Sequence, residues 1–188
     1  MDQREIVVRA GQGDHDAFAV LARSALGRLD AVARLILRDS DLAADAVQEA
    51  LIRAWRDLPR LREPERFDAW LYRLTVNACM DASRRRRRRV VEIELTPLID
   101  LPIPDGTAAF ADRDFLDRAL RRLQPDQRAI LVLRFFLDLS LPEAAEILDI
   151  PLGTAKSRLH RSLAALRATV SAAATSAVTP AAYGGRIA

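Results

Sequence analysis

Residues 67–89 read FDAWLYRLTVNACMDASRRRRRR. The stretch holds neither Pro nor Gly, so a single helix can pass through all of it. At 1.5 Å per residue that helix would be roughly 34 Å long. Phe67, Trp70, Leu71, Leu74 and Ala78 fall on one stripe that suits a core. Arg73, Asn77, Asp81 and Arg84 fall along another at spacings of four and three, and Cys79 and Met80 are expected to pack locally. An apolar anchor that ends in six consecutive arginines points to a polyanionic partner, nucleic acid first.

Upstream, the segment Pro59 to Arg66 (PRLREPER) is a short basic loop punctuated by Pro59 and Pro64. Before it, Asp39-Ser40-Asp41 is an N-cap signal for a helix from Leu42 to Leu58, ended by Pro59. Its buried stripe is Val47, Ala50, Leu51, Ala54 and Leu58. The opposite face shows Asp45, Gln48, Glu49, Ile52 and Arg56. Spacing alone leaves that face open to two readings, a solvated surface or a protein-docking surface. Nearer the N-terminus, Asp14 and Asp16 open a helix carrying Phe18, Leu21, Ala22 and Ala25. Gly27 is expected to interrupt it, and Leu29, Val32, Ala33, Ile36 and Leu37 form a second apolar pattern.

Downstream, residues 90–111 hold Pro97, Pro102, Pro104 and Gly106, which rule out a long helix and mark an irregular linker. The alternation Val91-Glu92-Ile93-Glu94-Leu95 is compatible with one short strand. Helical spacing resumes with Phe115, Leu116, Ala119, Leu120 and Leu123. Pro125 then begins a helix over Asp126 to Leu137 whose pattern includes Ile130, Leu131, Leu133, Arg134 and Phe135. Ser140 with Glu143 makes a capping box for a short helix carrying Ala144, Ala145, Ile147 and Leu148. A turn at Asp149-Ile150 leads to Pro151, at the first helical position. The last helix runs to about Val170, with core stripe Ala155, Leu159, Leu163 and Leu166. Its outer face shows Thr154, Ser157, Arg158 and Arg161, with Lys156 and His160 beside them. Two short helices, a tight turn and a small, basic outer face make a helix-turn-helix. The Ala/Ser/Thr-rich tail 171–188 carries no functional signal and is expected to be disordered or loosely helical.

The expected fold class is therefore all-α: two small helical domains, 1–89 and 112–170, joined by the irregular linker 90–111. Residues 60–89 hold ten Arg against four acids, residues 90–126 four Arg against eight acids, and residues 151–167 four cations and no acid. Two basic segments flanking an acidic one suggest two contact surfaces for one long polyanion. The chain has 188 residues, enough for real cores, and no apolar run reaches membrane-span length. A charged N-terminus without a signal segment, and a single cysteine, lead to an expectation of a reducing, cytoplasmic location. There is no phosphate-binding Gly loop, nucleophile elbow or His/Cys/Asp ligand cluster, so neither catalysis, metal nor cofactor is expected. His15 is expected at the surface and His160 on the DNA-facing helix.

The segments DLAADAVQEALIRAWRDL and FDAWLYRLTVNACMDASRRRR resemble sigma domain 2 of the extracytoplasmic-function (ECF, group 4) sigma factors of bacterial RNA polymerase. The segment LQPDQRAILVLRFFLDLSLPEAAEILDIPLGTAKSRLHRSLAALR resembles their domain 4, and RAGQGDHDAFAVL also fits. The resemblance covers about residues 6–168. It implies a promoter-specificity subunit rather than an enzyme. Asp45, Gln48, Glu49, Ile52 and Trp55 would dock on the β′ clamp helices. The 59–66 loop, with Arg62 and Arg66, and then Trp70, Arg73, Asn77 and Asp81, would read and melt the −10 element. Flipping a base costs a few kcal/mol, which aromatic stacking can recover; Trp70 is open to stacking or to a core role. Arg84, Arg85 and the following arginines would hold phosphates. Thr154, Lys156, Ser157, Arg158, His160 and Arg161 would read the −35 element. The resemblance further implies contact with the β flap and restraint by an anti-sigma factor, without membrane insertion. Two departures stand out: Asp149 where relatives often have Gly, and Asp68 where a basic or small polar residue is common. The alternatives are a sigma-like decoy for an anti-sigma factor and a conventional helix-turn-helix repressor.

Overall fold

The computed structural model describes residues 2–92 and 119–177, and side chains within 2–88 and 119–169. The linker reading over 93–111, the stripe positions Phe115 and Leu116, and the tail beyond 177 lie outside the described residues. What is described is all-α, and among the described residues there is no strand.

In chain order, α1 is Gln3–Gly11, α2 His15–Leu37, α3 Ser40–Asp57 and α4 Phe67–Glu92; two short 3₁₀ turns, Leu58–Arg60 and Pro64–Arg66, join α3 to α4. The second half contains α5 Pro125–Leu131, a π-helical turn Val132–Phe136, α6 Leu141–Leu148 and α7 Leu152–Ala177.

The sequence reading assigns no element to residues 3–11, where α1 forms and buries Val7 and Ala10. Gly13, at φ +95°, turns the chain from α1 into α2, a conformation that suits a residue without Cβ. Asp14 caps α2 by accepting from the Ala17 N–H at 3.0 Å, and pairs with Arg9 at 2.6 Å. The expected break at Gly27 is absent: α2 runs through it for 23 residues. Glycine costs a helix interior only about 1 kcal/mol. Burying a large aliphatic side chain returns roughly 1.5–3 kcal/mol, and Leu29, Val32 and Ile36 just beyond Gly27 are at most 1% exposed.

Asp39 caps α3 through the Asp41 and Leu42 N–H groups. The expected stripe is largely as read: Val47, Ala50, Ala54 and Leu58 are buried and Leu51 half-buried. α3 packs on α4 more extensively than any other pair of described elements, with alanines at the buried positions of both helices (Ala50, Ala54; Ala78, Ala82). In α4, Phe67, Leu71 and Ala78 are buried as expected, joined by Tyr72, Thr75, Val76, Cys79 and Ala82, while Trp70 and Leu74 are only partly covered. The Thr75 hydroxyl donates to the Leu71 carbonyl at 2.9 Å, which lets it be buried. Burial pushes the Cys79 thiol up to about 12.

In the second half, Gln124 and Gln127 form a capping box at the start of α5. The expected single helix from Asp126 to Leu137 is corrected: the α-helix ends at Leu131 and a π-helical turn follows. The π-helical turn inserts extra backbone, so Leu133 is buried while Phe135 and Phe136 are 61% and 49% exposed. The Ser140–Glu143 capping box forms as expected, and Asp149 ends α6 in the left-handed region (φ 54°). The Asp149 N–H donates to the Glu146 carbonyl and the Ile150 N–H to the Ala145 carbonyl. Pro151 falls one position earlier than expected: its carbonyl accepts from the Ala155 N–H, so it caps α7 rather than opening it. α7 continues past Val170 to Ala177 through an Ala-rich sequence of high helix propensity.

The halves pack on each other. Ala129, Val132, Leu133, Ala144 and Ile147 join the same apolar core as α2, α3 and α4. Arg128, 6% exposed, reaches across: its guanidinium donates to the carbonyl of Ile36, at the end of α2, and to those of Leu120 and Leu123. Burial, with Arg38 and Arg121 nearby, lowers Arg128 to about 10, so it stays charged at neutral pH.

Candidate nucleic-acid interface

Three surfaces carry the residues singled out in the sequence. The first is the outer face of α3. Asp45, Gln48 and Ile52 are exposed, Ile52 by 54%, and Glu49 is partly exposed. Trp55 is half-buried at the end of this face. The exposed His15 stacks on it at 4.5 Å, and Phe18 meets it edge-on at 5.0 Å. Beside this face lies a shallow groove of about 600 Å³ between α2 and α3, with Leu26, Val47 and Leu51 in its lining and Gln48 at its side. Leu26 is 47% exposed. The contribution of α2 to this surface is not legible in the α3 periodicity.

The second surface joins the 59–66 loop to α4. Arg62 and Arg66 are exposed, Arg73 and Asn77 half-buried, and Arg84 and Arg85 exposed. Trp70 tilts against Phe67 at 6.0 Å and packs on the core, and it also lines a cavity of about 410 Å³. That cavity lies between the halves, with Arg62, Arg66, Trp70 and Arg73 on one wall and Glu143 and Glu146 on the other. Arg66 pairs with Glu146, and Arg73 with Asp149 at 3.3 Å. Two of the arginines expected on DNA therefore hold carboxylates of α6 and its turn. Hydrogen bonding to Glu146 raises the Arg66 guanidinium above its ordinary value.

Asp81 lies farther along α4 and is held from both sides. Its carboxylate accepts from Arg84 at 2.8 Å and from Arg53 of α3 at 3.2 Å. Burial pushes its carboxyl up, but those two hydrogen bonds outweigh burial and keep it below the ordinary carboxylate range. Arg86 pairs with Asp39 at 3.2 Å.

The third surface is the start of α7. Lys156, Ser157, His160 and Arg161 are exposed and Thr154 is half-buried. The Ser157 hydroxyl donates to the Thr154 carbonyl at 3.0 Å, and Arg161 donates to the Ser157 carbonyl at 3.3 Å. Arg158 departs from the outer face it was expected to share. It is half-buried and pairs with Asp126 of α5 at 3.6 Å. Beneath this face, Ala155 is buried, and the buried Ser162 donates to the Arg158 carbonyl at 2.8 Å. Among the described residues no group of three or more His, Cys, Asp or Glu could hold a metal ion. No described helix is long and apolar enough to cross a membrane.

A helical first half with a basic C-terminal helix, followed by a helix-turn-helix with a cationic outer face, defines an all-α protein built from two helical units. The family descriptions agree with that division: Sigma-70 region 2 matches residues 21–89, and Sigma-70 region 4 matches residues 114–166. The ECF RNA polymerase sigma factor SigM of Mycobacterium tuberculosis is 36% identical over 163 residues, which cover 86% of this chain and 81% of that protein. SigW of Bacillus subtilis is 29% identical over 83% of this chain and 90% of its own. The sigma factor RpoE of Bartonella quintana, solved with the anti-sigma factor NepR, superposes with a TM-score of 0.68 at 27% identity, covering 82% of this chain and 96% of that one. CnrH, solved with the cytosolic domain of CnrY, gives 0.66 at 26% identity over 90% and 97%. The chain belongs to the ECF sigma factors, and its function is to direct transcription initiation.

Proposed function

We propose that the chain binds core RNA polymerase through α3 and carries two promoter-reading surfaces, one on each half. Asp45, Gln48, Glu49, Ile52 and Trp55, with the adjoining α2 groove, meet the β′ clamp helices. The exposed pair Phe135 and Phe136 is the apolar patch offered to the β flap. Arg62, Arg66, Trp70, Arg73 and Asn77 read and open the −10 element. Arg84 and Arg85 hold phosphates, and Asp81 sets Arg84. Thr154, Lys156, Ser157, His160 and Arg161 read the −35 element, with Arg158 braced against Asp126. The protein works in the cytoplasm as a polymerase subunit and supplies no catalysis, metal or cofactor of its own. The functional division follows two helical units joined by a linker over 93–111; the boundary expected at 89 moves because α4 runs on to Glu92.

The observation that carries this reading is the pairing of Arg66 and Arg73 with Glu146 and Asp149. Both are exposed guanidinium–carboxylate pairs, and a phosphate can replace a carboxylate on the same arginine when DNA is present. The complex of the structural relative RpoE with the anti-sigma factor NepR supports a like partner for this chain.

The test is reconstituted transcription with core polymerase on a panel of promoters carrying separate −35 and −10 elements. The expected result is initiation from a subset of them that depends on this chain. Initiation no higher than with core alone overturns the reading. Binding of an anti-sigma factor without any binding of core would point to the decoy instead. Normal function of a chain lacking residues 1–89 would point to the repressor.

A further inference from the structure

One guanidinium joins the face proposed for polymerase to the helix proposed for DNA. Arg53 stands on α3, half-buried against α4. Its Nε donates to Glu49 Oε1 at 2.8 Å, and its Nη1 to Asp81 Oδ2 at 3.2 Å. The other oxygen of Asp81, Oδ1, accepts from Arg84 Nη2 at 2.8 Å. The result is a chain of alternating charge, Glu49–Arg53–Asp81–Arg84, that runs from an exposed docking residue to the first arginine of the basic run. Sequence periodicity places Arg53 on neither functional face.

We infer that Arg53 is a positioning residue that couples polymerase docking to the grip on promoter phosphates. The inference rests on the proposed roles of α3 and α4. A guanidinium carries five N–H donors in a planar fork, and here two different edges serve two carboxylates. When a cation of the polymerase takes Glu49, Arg53 loses one of its two anions. Its best remaining geometry is a two-pronged pair with Asp81, which uses both Asp81 oxygens. Asp81 then shares its charge and both oxygens with Arg53 and holds Arg84 less strongly, so Arg84 is more readily given up to a phosphate. The converse holds by linkage: a phosphate that takes Arg84 strengthens the Arg53–Asp81 pair and frees Glu49, so each partner tightens the other by the same factor. Asp81, in this scheme, acts through the arginines and does not itself touch DNA.

The experiment measures promoter binding by the full chain assembled with saturating core polymerase, as a function of salt. Arg84→Ala removes one phosphate contact and lowers the salt slope by about 0.9. Arg53→Gln leaves Asp81 with Arg84 as its only partner; it gives the same lowered slope and promoter affinity about two- to fivefold weaker. Adding Asp81→Asn to Arg53→Gln releases Arg84 and restores both slope and affinity. Combining Arg53→Gln with Arg84→Ala adds nothing to either alone. Arg53→Lys keeps the charge without the fork and shows the same direction, which carries the test if Arg53→Gln folds poorly.

The coupling is overturned if Arg53→Gln leaves the slope of a competent wild-type complex unchanged, or if Asp81→Asn deepens the Arg53→Gln defect. An unchanged slope in Arg84→Ala also overturns it. A wild-type chain that forms no promoter complex with core overturns the docking reading itself, and the coupling with it.

Discussion

In the first half of the chain, α2, α3 and α4 turn their apolar faces on one another: Leu29, Val32, Ile36, Leu71, Val76 and Cys79 are all at most 2% exposed. In the second half, the described residues that α5, α6 and α7 bury among themselves centre on Ile130, Ala145 and Ala155. Ala129, Val132, Leu133, Ala144 and Ile147 are instead buried in the core of the first half. Two ion pairs across the seam, Arg66 with Glu146 and Arg73 with Asp149, are exposed and contribute little net stability in water. The first half therefore resembles a small domain that sustains itself. The second keeps its helix-turn-helix geometry through local caps and leans on the first for much of its burial. That inequality predicts that the second half gives way before the core of the first.

The largest test of the contrast is Ile36→Ala. It should cost about 2–5 kcal/mol and destabilise both halves, since Ile36 is at 0% exposure in the core they share; denaturant unfolding read by hydrogen exchange separates the two. Loss confined to the first half would contradict the shared core. Arg128→Met comes next. Leaving buried carbonyls without a donor costs about 1–3 kcal/mol, and here the carbonyls are those of Ile36, Leu120 and Leu123. Exchange should accelerate in residues 119–177 and hold steady in α3 and α4; equal acceleration in both would remove the contrast.

Local devices of the second half follow. Ser140→Ala should cost about 1 kcal/mol as a lost N-cap. Asp149→Gly should gain up to about 1–2 kcal/mol by relieving a left-handed residue, less the loss of its pair with Arg73. Both should move the thermal midpoint of the helix-turn-helix in opposite directions. The smallest expected effect is acid sensitivity. The Ala17 N–H, with Arg9, holds the Asp14 carboxyl below its ordinary value, and Ser140 does the same for Glu143. A carboxyl depressed in the folded state stabilises above its unfolded value, near ~4. That contribution disappears as pH falls through the folded value. Thermal midpoints taken from pH 6 down to pH 3 should therefore fall toward the acid end, and Ser140→Ala should lessen the fall in the second half only.

Much of this was legible in the sequence because the governing interactions are local. The Asp39 and Ser140 caps, the α3 stripe, the arginine-ended helix and the turn at Asp149 all depend on residues within a few positions of each other. What escaped depends on distant ones. Gly27 reads as a break until the burial of Leu29, Val32 and Ile36 is known. The single helix read over Asp126 to Leu137 misses the break at Val132 because periodicity assumes 3.6 residues per turn, and the π-helical turn changes the phase. Arg158 reads as a base contact because Asp126 lies 32 positions away, and Arg128 attracts no notice because an acceptor, Ile36, is on another helix. Arg53 was missed for the same reason: its second partner, Asp81, belongs to α4.

One small feature has practical reach. Cys79 lies at 0% exposure inside α4, with its thiol pushed up to about 12. The thiolate is the reactive species, so this sulfur stays silent while the core is shut. Its alkylation rate then measures how often α4 parts from its neighbours. A cysteine introduced on the surface can carry a fluorophore without the native one being removed, and the same molecule can report seam opening by its dye and core opening by its thiol.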